Sequence, residues 1–190
     1  MQAELYIEAI RAARRLAPVS VAVLRSIGKT PFTDVELIRG SEVEIPRWAA
    51  EVLEKMGYVE VKREVGSSSD VNRIRFAEED HARRGGLSIS KIPGDFYIEV
   101  GRIIRELSEK IKKGGSPSDI VELDRITRAL DRIVSIRLQK ILMASILHSE
   151  RSGDFEKNLS FEEKALYRII DSDVKHWLRT VLGESYGGVS

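Results

Sequence analysis

The chain has 190 residues, no cysteine, and a net charge of +1 from 31 basic and 30 acidic side chains. Disulfides, thiolate metal sites, iron–sulfur clusters and cysteine nucleophiles are therefore excluded, and so balanced a charge argues against coating DNA by phosphate neutralisation. No apolar run is long enough to span a membrane and no secretory h-region opens the chain, so a cytoplasmic protein of one domain or two small ones is expected.

Residues 3–16 predict a short helix with Leu5, Ala9, Ala12, Ala13 and Leu16 on one side, stopped by Pro18. Val19, Val21 and Val23 alternate with smaller residues, predicting a strand to about Ile27. Gly28–Pro31 reads as a turn, Asp34–Ile38 as a second strand, and Arg39–Ser41 as a tight connection to Val43 and Ile45. Pro46 suits a first helical position, and the helix it opens runs to Met56 with Trp48, Val52, Leu53 and Met56 facing inward. Trp48, Val52 and Met56 are thus the expected core of a small domain. Gly57 is a left-handed stop, Tyr58–Val61 a strand, Gly66–Asp70 a flexible loop, and Val71–Phe76 a further strand.

Residues 77–94 are charged, then glycine-rich, then punctuated by proline, which marks a domain boundary. Beyond it the pattern is helical. Asp95 can cap a helix carrying Phe96, Val100, Ile103, Ile104, Leu107 and Ile111 on one face. Residues 113–117 break it, and a long helix follows from about Ser118 to His148, apolar nearly all round from Ile136 to Leu147. Arg151–Leu159 reads as a loop. Ser160-Phe-Glu-Glu163 is a capping box that opens a last helix with Leu166, Ile169, Ile170, Trp177, Leu178 and Val181, ended by Gly183. The expected division is a β-rich domain with an extra N-terminal helix at 1–76, a linker at 77–94, a helical domain at 95–183 and a flexible tail at 184–190. The fold class is α+β, mainly a helical bundle.

Chemistry is hard to place in this sequence. His81, His148 and His176 lie far apart, without the i, i+4 spacing that puts two ligands on one helix face. Gly28-Lys29-Thr30 imitates the end of a phosphate loop, but Val23 stands where the upstream glycine belongs. The acidic pairs Glu162–Glu163 and Asp171/Asp173 suit a helix start and a solvated face, and there is no nucleophile elbow or dinucleotide fingerprint. No catalytic residue, metal ligand or cofactor is assigned.

Two groups of cations remain. Arg125, Arg128 and Arg132 form a stripe on the long helix that is either a phosphate- or partner-contacting face, or a solvated face paired with Glu122, Asp124 and Asp131. Arg137 and Lys140 sit where the helix turns apolar on every side, and a charge there is costly unless paired. Arg137, flanked by Ile133 and Ile141, is expected to be held bidentately by a carboxylate or by helix-end carbonyls, on another helix or another subunit, and so to set bundle register. Phe96, Tyr97, Ile141 and Leu142 join Arg137 and Lys140 as candidate subunit-interface or register residues. A competing reading takes Ile45–Phe76 as a recognition helix followed by a wing, making the chain a winged-helix transcription regulator with a helical dimerisation domain; the apolar start Pro46-Arg-Trp-Ala-Ala50 does not favour it.

Two stretches, taken in order, resemble subunits of the GINS replication complex. Leu37–Val59, with its short hairpin, proline, alanine-rich helix and glycine, is similar to the small β-rich B domain. Ile92-Pro-Gly-Asp-Phe-Tyr97, Arg137-Leu-Gln-Lys-Ile-Leu-Met-Ala144 and Leu159-Ser-Phe-Glu-Glu-Lys-Ala-Leu-Tyr167 are similar to the helical A domain. The resemblance implies an archaeal subunit of the kind with B before A, non-catalytic, scaffolding and stimulating the MCM helicase together with a RecJ-like protein. It implies a tetramer made with a second subunit of the A-then-B kind, primase or DNA polymerase as further partners, and a place at replication forks beside the nucleoid. Direct DNA binding is expected to be weak or absent.

Overall fold

Alternating valines build the first unit. The computed structural model describes residues 2–147 and 152–183; His148 and the tail expected at 184–190 lie outside the described residues. The chain divides into two units between Arg63 and Glu64. In the first, helix α1 (Gln2–Leu16) precedes β1 (Pro18–Val23), β2 (Gly28–Thr30), β3 (Thr33–Leu37), β4 (Glu42–Pro46), α2 (Arg47–Lys55) and β5 (Val59–Val61). The period of two in β1 turns Val21 and Val23 to one face. β1 is the central strand of an antiparallel sheet ordered β4-β1-β5, with Val21 opposite Val43 on one side and Val61 on the other. Val21, Val23, Leu37, Ile45, Ala50, Val59 and Val61 form one buried cluster.

Three readings of this unit are corrected. β1 ends at Val23 rather than near Ile27, because Leu24 and Arg25 both donate their backbone N–H to the Tyr58 carbonyl and leave the ladder. Gly28–Thr30 is a strand, paired with β3, and not a turn. Trp48, Val52 and Met56 are not core: they are 37%, 51% and 58% exposed. Their i, i+4, i+8 spacing does mark one face of α2, but the neighbouring face carries Ala49 and Ala50, and both are buried. Two alanines let a helix come close to a sheet, and that close approach fixes the helix phase. Trp48 instead meets Phe32 edge to face, with ring centroids 5.5 Å apart. Gly57 does stop the helix, at φ +73°.

The second unit opens with a helix where a loop and a strand were expected. α3 spans Ser68–Arg83. Ser67 and Asp70 make a reciprocal capping box, in which the Asp70 N–H donates to Ser67 Oγ at 3.4 Å and the Ser67 N–H donates to Asp70 Oδ2 at 3.1 Å. The serine run is therefore a helix start, and the strand expected at Val71–Phe76 is helical. This removes the wing on which the winged-helix reading stood.

The linker expected at 77–94 is likewise corrected. α3 continues through Arg83, Gly85 and Gly86 turn the chain at positive φ, and the segment that follows is packed, with Ile89, Ser90 and Ile92 buried. Ser88-Ile-Ser-Lys-Ile92 carries its two apolar residues three apart among polar ones, so it reads as a linker although both isoleucines go inward.

Four more helices complete the unit: α4 (Phe96–Lys112), α5 (Pro117–Leu147), α6 (Ser152–Lys157) and α7 (Phe161–Leu182), α6 lying where a loop was expected. Asp95 takes the cap position of α4 without a side-chain cap bond. The α4–α5 corner is fastened by Asp119, whose carboxylate accepts from Lys110 Nζ at 2.7 Å and from the Ser116 N–H at 2.8 Å. Packed along α5 are two apolar clusters. One joins Val65, Val71, Ile92, Phe96, Val100, Ile103, Ile126, Ala129 and Ile133; the other joins Ile89, Ile141, Ala144, Leu159 and Tyr167.

Candidate functional site

Between those two clusters α5 carries Arg137, four residues after Ile133 and four before Ile141. Its side chain is fully buried, and all five of its N–H donors are used. Nε donates to Glu163 Oε1 at 2.6 Å and Nη2 to Glu163 Oε2 at 2.7 Å, a fork-on-fork pair with α7. Nη1 donates to Glu78 Oε1 of α3 and, at 2.9 Å, to the Ser90 carbonyl. Nη2 also reaches the Asn158 carbonyl at 3.0 Å. One side chain thus ties α3, the 84–95 segment, the end of α6 and the start of α7 to the long helix.

Further contacts surround this side chain, with Glu78 Oε2 buried but not hydrogen-bonded. Glu163 is also the capping-box residue of α7, taking the Ser160 N–H at 2.9 Å on the oxygen that Arg137 Nη2 contacts. Tyr97 of α4 donates its hydroxyl to Glu163 Oε1 at 2.7 Å. Ser90 donates both its N–H and its hydroxyl to Glu78 Oε1. Lys140, one turn beyond Arg137, gives its ammonium to the Ser88 carbonyl and stands 4.0 Å from Glu78 Oε2. Two cations face two carboxylates, so the buried charge is balanced.

The electrostatics follow from burial and these partners. Burial by itself would pull the Arg137 pKa down, but the hydrogen bonds and charge of Glu163, together with Glu78, outweigh it and the net shift is upward. Burial, then the charge and hydrogen bond of Glu163, push the Tyr97 hydroxyl far above its ordinary range, so it remains a donor. Lys140 is pulled down, chiefly by burial, against the attraction of Glu78. With every Arg137 donor consumed internally, the cluster has no guanidinium N–H left for a ligand. It is built as a register lock.

Of the residues singled out in the sequence, the fold brings Tyr97, Arg137 and Lys140 together. Phe96 and Ile141 are buried inside this chain's own clusters rather than displayed on its surface. Leu142 is different. It lies on the outer side of α5 with Leu138, Met143 and Ile146, and Leu142, Met143 and Ile146 are 45%, 50% and 58% exposed. The far end of α7 likewise exposes Trp177, Val181 and Leu182. The expectation that Ile136–Leu147 is apolar on every face therefore resolves into an inner face that packs and an outer apolar stripe. Glu78 and Ser90 escaped sequence reasoning: their partner lies far along the chain and neither sits in a recognisable pattern. Glu163 was visible as a capping residue, and its second role was not.

Among the described residues no helix is long and apolar enough to cross a membrane. No curated protein matches the chain. A family model described as Sld5, GINS complex protein helical bundle domain, matches residues 51–182, more than half of the chain.

Proposed function

The chain belongs to the GINS helical-bundle family, non-catalytic scaffolds of a DNA replication complex, and from that premise we propose that it is the archaeal subunit kind whose small β domain precedes the bundle. It joins a second GINS subunit of the A-then-B kind in a tetramer, at replication forks, and in that assembly supports the MCM helicase together with a RecJ-like protein. The order of the two units, β-rich first and helical second, supports the choice of kind.

The observation that carries the reading is the outer stripe of α5. Leu138, Leu142, Met143 and Ile146 form a row of large apolar side chains near the end of a long helix, left about half exposed by the described residues. Contiguous apolar surface on one helix face is the ordinary mark of a helix–helix interface between subunits. Arg137 and Lys140, on the inner side of the same turns, hold the helix in one rotational setting, so the stripe is presented in a fixed register. A scaffold needs that rigidity more than it needs reactive groups.

Co-expression tests this. The tagged chain, produced with an A-then-B GINS subunit and MCM, should retain both through affinity purification, and Leu142→Glu with Ile146→Glu should release the GINS partner while the melting curve of the chain stays cooperative. Retention of the partner subunit by that double variant would refute the stripe as the subunit interface.

A further inference from the structure

Earlier along α5, the basic stripe has found a setting. A groove of about 320 Å³ runs between α3 and α5, lined by Asn72 and Arg75 on one side and by Arg125, Arg128 and Arg132 on the other, with Asp124 the one acid in its wall. The arginines are only loosely engaged. Arg128 pairs with Asp124 at 2.9 Å, both exposed, while Arg75 and Arg132 share Glu79 at 3.5 and 3.4 Å. The exposed Arg128–Asp124 pair is worth little and exchanges readily, and both contacts to Glu79 are long. Arg125 makes no ion pair among the described residues, and Arg75 Nε is buried with no hydrogen-bond partner. Arg75 stacks over the Phe76 ring, 4.4 Å to its centroid.

The same groove has an apolar component. Val121 lines it and is exposed, and Ala129 lines it and is buried. We propose that this groove docks an acidic segment of a partner protein, one in which carboxylates flank an apolar side chain. Arginine forks take carboxylates bidentately. Arg125 and Arg132 are seven residues apart, about 10 Å along a helix, which is roughly the separation of carboxylates three residues apart in a polyproline-II segment, where residues i and i+3 share a face. A nucleic-acid backbone fits less well. It would leave Val121 against phosphates, and the chain's net charge of +1 gives no long-range field to gather a polyanion. The groove lies on an earlier stretch of α5 than the apolar stripe, and the inference stands whichever GINS partner occupies that stripe.

Fluorescence anisotropy on the intact chain tests it. The probes are a labelled peptide repeating glutamate-leucine-alanine, its glutamine counterpart, and a labelled single-stranded oligothymidylate. The glutamate peptide should bind saturably at low salt and the glutamine peptide should not. Arg125→Ala with Arg128→Ala should weaken it at least about tenfold, the size expected for lost charge-assisted contacts. Arg125→Lys with Arg128→Lys should fall in between, because the charge survives and the fork does not. Arg105→Ala, an exposed arginine on α4, should change nothing. Failure of the glutamate peptide to saturate would overturn the proposal. So would unchanged affinity in the alanine variant, or tighter binding of the oligonucleotide with the same sensitivity to both substitutions, which would make the groove a phosphate site.

Discussion

Arg137 and Glu163 meet fork to fork in the middle of the bundle, Nε to Oε1 at 2.6 Å and Nη2 to Oε2 at 2.7 Å, both side chains buried. The same carboxylate caps α7 through Ser160. A single pair therefore decides where α7 starts and how α5 is turned against it. Arg137→Ala leaves Glu163 and Glu78 buried without their cation and should cost on the order of 3–5 kcal/mol, read by chemical denaturation. Arg137→Lys should recover only part of that, since an ammonium cannot serve both oxygens of Glu163 and two carbonyls at once. A lysine variant as stable as the parent would show that charge alone, not the fork, is what the site needs.

Tyr97 offers a milder probe of the same network. Tyr97→Phe removes one hydrogen bond to a charged acceptor and should cost about 1.5–3 kcal/mol. Because its pKa is raised, the parent's Tyr97 contributes stability that is complete below the ordinary tyrosine range and lost as pH climbs through and above it. The gap between parent and Tyr97→Phe should therefore narrow above about pH 10. A gap that stays constant to strongly alkaline pH would contradict the assignment.

Acid should loosen the α4–α5 corner first. The hydrogen bond from Lys110, then those from Ser116, hold the Asp119 pKa down to about 2. A depressed folded pKa means stability that is present above the unfolded value near 4 and disappears as pH falls toward 2. Asp70, lowered chiefly by its hydrogen bond with Ser67, acts in the same direction at the start of α3. Thermal melts from pH 5 down to pH 2 should show a shallower decline for Asp119→Asn than for the parent. Identical slopes would mean the corner does not titrate with folding.

Gly115 sits in that corner for want of space. A Cβ there would lie 2.9 Å from Ile111 Cα and 3.0 Å from the Lys110 carbonyl, and both are backbone atoms. Gly115→Ala should force the last turn of α4 to shift, at a cost of about 1–3 kcal/mol. Gly114→Ala, strained at φ +94° but with open space around it, separates crowding from conformational strain when the two are compared.

On α2 the effect should be small. Trp48 is more than one-third exposed and meets the Phe32 ring, so Trp48→Ala should cost about 1–2.5 kcal/mol, the aromatic pair plus the part of the ring it buries, and not the several expected of a core tryptophan. A loss above about 3 kcal/mol would restore the sequence-based assignment of Trp48 to the core.

What the sequence disclosed and what it hid divide along physical lines. The burial and pairing of Arg137 could be read locally, because Ile133 and Ile141 bracket it at helical spacing and a lone guanidinium cannot stay there. The start of α7 was legible for a similar reason, since Ser160 and Glu163 carry a capping box in four residues. Glu78 was not: its carboxylate looks like any acid on a charged helix until the fold closes α3 against α5. The start of α3 was misread because glycine and serine serve loops and helix caps alike, and only the hydrogen bonds between Ser67 and Asp70 distinguish them. The phase of α2 failed for a third reason. Size suggested Trp48, Val52 and Met56, while contact distance favoured Ala49 and Ala50.

Light scattering during size-exclusion chromatography tests the scaffold reading most directly. Mixed with an A-then-B GINS subunit, the chain should elute in an assembly of four chains, and Leu142→Glu with Ile146→Glu should return it to a folded 21.4 kDa species. A parent chain that stays a monodisperse 21.4 kDa monomer in that mixture would contradict the account.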